Sequence, residues 1–205
     1  MYALDTTAAK KADQTGSRIN ELGKYVGQFK QAEDITAGTG TKGIALRFES
    51  NGQTADLSIY TQRANGEQIM GYQALMAIMT CLQLRNIAPK PGMVKHWDND
   101  ARQEVYKQAQ VFPDLCGKDI GLLLETEDYT KKDGGIGTRM VIAGIFQAKT
   151  ELTASEILDR KTTPEHLAKM VARLRHRPVK GAAAPARRES SSAPSGFDMD
   201  EEIPF

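Results

Sequence analysis

The last eight residues of the chain combine several acids with an apolar, aromatic end. A terminal phenylalanine can fill an apolar pocket on another protein, and its free α-carboxylate can meet a Lys or Arg there. The acids before it would speed association with a basic rim, and the proline limits the conformations that docking must freeze out. The spacing therefore predicts a protein-docking tip, although an acidic tail that only aids solubility would carry the same charge. The tip residues are Asp198, Asp200, Glu201, Glu202, Ile203, Pro204 and Phe205.

A second set of residues mixes cations with aromatic rings across the body of the chain. A nucleic-acid single strand requires this mixture, because cations meet its phosphates and aromatic faces stack on its bases. Each residue alone also fits a solvated surface charge or a partly buried ring, and for Trp97 packing is a full alternative to stacking. Together they predict a surface for single-stranded DNA. The candidates are Lys42, Arg47, Tyr60, Arg63, Trp97, Tyr129, Lys131, Lys132 and Arg139.

Other kinds of site are disfavoured by the spacing of their residues. The glycine-rich stretch Gly38–Gly43 matches a phosphate-binding fingerprint, but a strand rather than a helix is expected to follow it. The cysteines and histidines lack the spacing of metal ligands. Acid pairs such as Glu125 and Glu127 have no His or Lys cluster that would indicate nuclease chemistry. We therefore expect a protein that is not an enzyme and uses no cofactor or metal.

Composition and charge are those of a soluble protein. The chain has 205 residues and a net charge of +1, no apolar run long enough to span a bilayer, and no secretory signal at its N-terminus. The net charge conceals an asymmetry, since residues 151–180 carry seven basic and four acidic residues, whereas residues 181–205 carry two and five. We expect a cytoplasmic protein without a membrane partner, whose acidic tail competes with DNA for basic surface.

The clearest local signal is a β-hairpin. Apolar residues alternate on both sides of Asn51-Gly52, a pair that favours a two-residue type I′ turn. With this turn, residues pair so that their numbers sum to 103, and the apolar set faces the core. Arg47, opposite Asp56, and Tyr60, opposite Gly43, then share the other face of the hairpin.

The remaining elements predict a mainly β body over residues 1–150. Between the expected helix and the last two strands, residues 87–118 are irregular, with a short helix near 100–110. The order is three strands, a helix and two strands, which is the order of a five-stranded OB-fold barrel with its helix between strands 3 and 4. Besides the hairpin, we expect strands at 24–31, 120–126 and 138–148 and a buried helix at 67–86.

Beyond residue 150 the chain changes character twice. Residues 151–177 predict a helical extension, with a capping box from Thr153 to Glu156 and a second helix start at Thr163, before a proline. Residues 178–205 are rich in Ala, Pro and Ser and predict a disordered linker that carries the docking tip. One apolar stripe could pack on the barrel or on another subunit of a homo-oligomer. It comprises Leu167, Met170, Val171 and Leu174.

The tip and linker resemble the C-terminal end of bacterial single-stranded DNA-binding proteins and of several phage counterparts. In that family an acidic run followed by Ile-Pro-Phe docks replication, recombination and repair proteins. The segments Glu21–Phe29 and Phe112–Lys118 resemble phage-encoded OB-fold binding proteins. These resemblances imply a protein that coats single-stranded DNA with little sequence preference and recruits partners through its tip.

Two other functions remain open from the sequence. An adaptor could use the tip to capture replication proteins without binding DNA. An annealing or recombination-mediator protein is not excluded by anything in the sequence, and it would be recognised by accelerated pairing of complementary strands.

Overall fold

The computed structural model describes residues 18–98, 101–131 and 133–179. This part of the chain is mainly β, with a single antiparallel sheet and short helices. A 3-10 turn at Pro113–Leu115 precedes the sixth strand. In chain order the elements are β1 (Gly23–Thr36), β2 (Lys42–Ser50), β3 (Gln53–Gln62), α1 (Met70–Cys81), β4 (Lys90–Asp98), β5 (Gln103–Val111), β6 (Asp119–Thr130), β7 (Ile136–Gln147), α2 (Ala154–Leu158) and α3 (His166–Val171).

The β2–β3 hairpin forms with the predicted register. Arg47 pairs with Asp56 and Gly43 pairs with Tyr60, and the apolar partners face the core between them. The turn residues Asn51 and Gly52 both have positive φ angles, of 50° and 77°, as a type I′ turn requires. The turn and the alternation are local signals, so the register could be read from the sequence alone.

Strand β1 is the centre of the sheet and is longer than predicted. One half of it pairs with β2 and the other half with β6, so the strands follow one another in the order β3, β2, β1, β6, β7. A bulge between Phe29 and Gln31 accompanies this change of partner. Gly27 lies at the crossing, where a Cβ atom would stand 1.9 Å from the carbonyl oxygen of Glu49.

Helix α1 lies within the predicted range and closes the core. Its buried side chains include Leu75, Ile78 and Met79, which pack with the inner faces of the strands. Phe29 and Phe48 make an edge-to-face contact in the same core, with ring centroids 5.8 Å apart. The helix is therefore held by its apolar side chains.

The expectation for residues 87–118 was wrong. The segment predicted to be irregular, with a short helix near 100–110, forms the β4–β5 hairpin. Residues such as Gln, Lys and Ala favour a helix weakly, and nine cross-strand pairs outweigh that preference. The side chain of Asp98, at the end of β4, accepts the backbone N–H of Ala101 at 3.0 Å. One register pair, Glu33 with Val111, joins β5 to β1.

Residues 151–177 pack directly against the sheet. The predicted capping box forms at Thr153 and Glu156, but the second helix begins at His166 rather than directly after Thr163. The reason is that the buried Glu156 carboxylate accepts the N–H groups of Glu165 and His166 and so fixes the start of α3. Three residues of the apolar stripe, Leu167, Met170 and Leu174, pack on the outer side of β6 and β7 with Leu123 and Phe146, whereas Val171 is exposed.

No helix among the described residues has the length and apolar character that a bilayer crossing would need.

Candidate nucleic-acid interface

The predicted residues Arg47 and Tyr60 share the outer face of the β2–β3 hairpin. Arg47 faces Asp56 and Tyr60 faces Gly43, and these two cross-strand pairs are four residues apart along the strands. The side chains of Arg47 and Tyr60 are therefore about 13 Å apart in that direction. Tyr60 is 39% exposed. The sequence placed both residues on the correct face, but they do not form one contact.

Arg47 is a neutralised cation. Its Nε atom donates to Asp56 at 3.0 Å and its guanidinium donates to Glu104 at 3.1 Å. Partial burial lowers the pKa of Arg47, but the hydrogen bonds and charges of these two acids outweigh that effect and raise it. A phosphate would therefore have to compete with two carboxylates for this guanidinium.

The β4–β5 hairpin carries the most exposed aromatic surface near Arg47. Trp97 lies on β4 and is 57% exposed, and Tyr106 on β5 is 63% exposed. The register pairs Lys95 with Tyr106 and Trp97 with Glu104, so these residues share one face of the hairpin. Met93 extends the same face and is also exposed. We call Met93, Lys95, Trp97 and Tyr106 the hairpin face.

A cation lies beside the rings of the hairpin face. The Lys95 ammonium is 5.6 Å from the centre of the Tyr106 ring and 3.2 Å from a carboxylate oxygen of Glu104. Because Glu104 also binds Arg47, one acid connects the hairpin face to the sheet. A cleft of about 420 Å³ separates the two, with Lys30 and Arg47 on its sheet side and Met93 and Tyr106 on its hairpin side.

Sequence reasoning missed Met93 and Tyr106. The signal that could have found them is the alternation around Val94, which is fully buried while its neighbours on β4 are exposed. The two β-forming residues Val105 and Tyr106 are a second signal in a segment that is otherwise rich in Gln and Lys.

A separate group of predicted residues lies at the far end of β6 and β7. Tyr129 is on β6, not in the loop where it was expected. Arg139 donates to Glu127 through two nitrogens, at 2.8 and 2.6 Å, and its guanidinium carbon is 5.7 Å from the Tyr129 ring centre. Lys131 is exposed in the short loop that follows, whereas Lys132 lies outside the described residues.

The last two predicted cations lie near Tyr60. Lys42 pairs with Gln62 at the start of β2 and is exposed, and Arg63 follows β3. The Arg63 guanidinium is 2.9 Å from Glu67, in an exposed ion pair. The eight candidates that the structure describes therefore fall into three groups, and in one of them Arg47 binds Glu104, the cross-strand partner of Trp97.

Tyr60 and Arg139 also line a groove of about 720 Å³ between α1, β3 and β7. Its lining is largely apolar and includes Ala74, Ala77 and Met170, with Arg139 at one side. Backbones approach closely here, since a Cβ atom on Gly71 would lie 2.1 Å from the Tyr60 carbonyl oxygen. The groove offers few cations, so it is less suited to a phosphate backbone than the hairpin face.

The described residues contain no group of three His, Cys, Asp or Glu side chains placed to hold a metal ion. Burial raises the pKa of the Cys81 thiol to about 12, so this cysteine is not a nucleophile at neutral pH. Burial also raises the pKa of Cys116. These cysteines act as small core residues, as the sequence predicted for Cys81.

The docking tip, Asp198–Phe205, and the linker from residue 180 onward lie outside the described residues. No protein-family model matches the sequence, and no curated protein is significantly similar to it.

Proposed function

We propose that the protein binds single-stranded DNA with little sequence specificity, as a non-enzymatic component of replication, recombination or repair. The observation that carries the proposal is the exposure of Trp97 and Tyr106 on one face of the β4–β5 hairpin, beside Lys95 and Arg47. Large rings exposed together seldom occur on a surface without a ligand, and stacking on bases uses such rings without reading sequence.

The strand order supports an OB-fold as the framework of this surface. Strand β1 pairs with both β2 and β6, β6 pairs with β7, and α1 follows the third strand. Strands β3 and β7 also lie close to one another. If the β4–β5 hairpin is an insertion after the helix, the other five strands follow the OB-fold order.

The pattern of ion pairs predicts how the surface would bind. Arg47 and Lys95 share Glu104, and Lys30 lies 3.4 Å from Glu49. A phosphate backbone would exchange these protein carboxylates for its own anions, and it would release its counterions to solution. We therefore propose an affinity that falls steeply with salt, with base stacking supplying the part that salt does not remove.

Recruitment of partner proteins through the C-terminal tip is the second part of the proposed function. Its sequence supports recruitment of replication, recombination and repair proteins, because Phe205 and the acids before it offer an apolar anchor inside a negative field. Because recruitment would use the tip and DNA binding would use the hairpin face, each task can be tested by its own substitutions.

The test is a titration with oligothymidylate at low and high salt. Trp97 is the only tryptophan, so its fluorescence reports contact at the hairpin face directly. We expect quenching on binding, and a Tyr106→Ala variant with an affinity lower by about tenfold, since stacking contributes about 1–3 kcal/mol per base.

Met70→Ala is the matched control for that variant, because Met70 is 84% exposed outside the hairpin face. Its affinity should equal that of the wild type. A wild-type protein that shows neither quenching nor a salt-dependent affinity would contradict DNA binding, and it would favour an adaptor that works through its tip alone.

A further inference from the structure

A row of arginines follows α3 and lies against the outer side of β6. Between residues 173 and 177 the chain alternates, with Leu174 packed in the apolar cluster and the His176 ring bonded to Thr126 and Asp128. The other positions carry exposed arginines that line one pocket of about 440 Å³. They are Arg173, Arg175 and Arg177.

A single carboxylate sets the position of this row. Glu125 on β6 also lines the pocket, and its side chain is 7% exposed. It accepts the backbone N–H of Arg175 at 3.1 Å and the Nε–H of Arg177. The backbone is fixed as well, since Arg177 donates its N–H to the carbonyl of Thr126. Arg175 and Arg177 are therefore held against β6 by these contacts.

The pocket carries more positive than negative charge. Three guanidinium groups face one carboxylate, and Glu125 is already bonded to Arg177. Among the described residues, no acid lies within ion-pair distance of Arg173 or Arg175. This contrasts with Arg47 and Arg139, whose guanidinium groups are paired with acids. Arginines left unpaired around one concave site form an anion site, because their planar forks fit the oxygens of a phosphate.

We propose that Arg173, Arg175 and Arg177 bind successive phosphates of the single strand, a site that rests on the proposed function. Arg173 lies in the turn that ends α3, and Arg175 and Arg177 follow it along β6, so the three guanidinium groups present their charges to a polyanion around one pocket. The adjacent aromatic residue favours nucleic acid over an acidic peptide. Asp128 donates its N–H to the Arg177 carbonyl, and the next residue, Tyr129, exposes its ring beside Arg139.

The strand would then contact two surfaces, the hairpin face and the arginine row. The two contribute differently, since rings supply stacking and the row supplies charge. Substitutions in the row should change the salt dependence of binding, whereas substitutions of Trp97 or Tyr106 should lower affinity at every salt concentration.

The experiment measures oligothymidylate affinity against salt for the full chain and for Arg173→Gln/Arg175→Gln. Each phosphate contact to a single strand contributes about 0.7 to the slope of log affinity against log salt, so losing two contacts should lower the slope by about 1.4. Arg85→Gln/Arg160→Gln is the matched control, since both arginines are exposed and lie outside the pocket. It removes the same charge and should leave the slope within error.

Thermal unfolding checks that the double variant keeps the fold. We expect that it does, because Glu125 still accepts the backbone N–H of residue 175 and the side chain of Arg177. A second readout titrates inorganic pyrophosphate and follows the shift in Tm. The wild type should be stabilised, and the Arg173→Gln/Arg175→Gln variant should lose most of that shift.

Three outcomes would overturn the site. An unchanged salt slope in the double variant would do so while leaving DNA binding intact. If the double variant kept the salt slope of the wild type but lost the wild type's binding to a synthetic peptide of residues 198–205, the row would be assigned to an acidic peptide instead. A wild type that binds no oligothymidylate would overturn the proposed function together with this site.

Discussion

The guanidinium of Arg47 on β2 lies 3.1 Å from the carboxylate of Glu104 on β5, and this contact joins the β4–β5 hairpin to the sheet. The other oxygen of Glu104 lies 3.2 Å from the Lys95 ammonium. The hydrogen bond and charge of Lys95, with those of Arg47, hold the pKa of Glu104 below its ordinary value. One exposed acid thus neutralises two cations that a DNA strand would use.

Glu104→Gln should tighten the binding of oligothymidylate at low salt. Removing the carboxylate frees Lys95 and Arg47 for phosphates, and we expect an increase of about three- to tenfold that disappears at high salt. Fluorescence anisotropy at two salt concentrations measures the effect. Glu21→Gln removes one charge from an exposed position before β1 and should change affinity much less. Weaker binding by the Glu104 variant would show that the carboxylate is needed to position the hairpin face.

Trp97→Ala should weaken binding by about tenfold or more at all salt concentrations, whereas Trp97→Phe should retain most of the affinity. The reason is that a phenyl ring still stacks on a base, while alanine offers no face. Because both variants lack the fluorescent reporter, the measurement uses labelled oligothymidylate. Equal affinities for the two variants would exclude stacking at this position.

Removing residues 198–205 should tighten DNA binding at low salt. The tip carries four of the acids in the chain's negative end, and we expect it to compete with DNA for the same cations. A few-fold increase is expected, and it should be reproduced by replacing the four acids with Asn and Gln while Phe205 is kept. An affinity that is unchanged in both variants would separate the tip from the DNA surface.

Gly27→Ala should destabilise the protein by about 1–3 kcal/mol, because the new methyl group would meet the Glu49 carbonyl where β1 changes partner. Thermal or urea unfolding measures the loss. Gly38→Ala is the control, since nothing lies within 4 Å of a Cβ atom there. If both variants unfolded at the same midpoint, the prediction would be wrong, and β1 would have to shift to make room for the methyl group.

Stability should fall in acid through the buried Glu156. Burial alone would raise its pKa, but the hydrogen bonds from Thr153, Glu165 and His166 hold it at about 2, against 4.5 for an ordinary glutamate. A group with a lowered folded pKa stabilises the protein above its unfolded pKa and loses that contribution as pH falls. The loss should therefore occur between about pH 4.5 and pH 2.

Glu156→Gln tests this assignment. The variant should be less stable at neutral pH by about 1–3 kcal/mol, since buried donors lose their charged acceptor. It should also lack the part of the acid-dependent loss that the wild type shows in this range. A variant that keeps the full pH dependence would place the titrating group elsewhere.

The sequence predicted those parts of the fold that depend on neighbouring residues. Asn51-Gly52 and the alternation around it gave the β2–β3 register, and the spacing of Leu75, Ile78 and Met79 gave the buried helix. The β4–β5 hairpin was missed because both of its faces are largely exposed, with Val94 its fully buried side chain. Weak burial leaves little periodicity to read.

The candidate site could be predicted only as a set of residue types. Arg47 and Trp97 were named from the sequence, but Glu104, which brings them together, lies 57 residues from Arg47 along the chain. Contacts of that separation depend on how the hairpin folds over β1 and β2. The arginines at 173, 175 and 177 were visible as charge, yet their common pocket depends on Glu125, which is 50 residues from Arg175.

The way in which the β4–β5 hairpin is attached to the sheet allows the hairpin face to change independently of the core. Its backbone joins β1 through one register pair at Val111, while its outer part is held by side chains, including Gln31 to Lys95 and Glu33 to His96. Exchanges at these surface positions would re-aim the aromatic rings without disturbing the core. The hairpin face can therefore be altered through evolution or design while the stability of the sheet stays nearly constant.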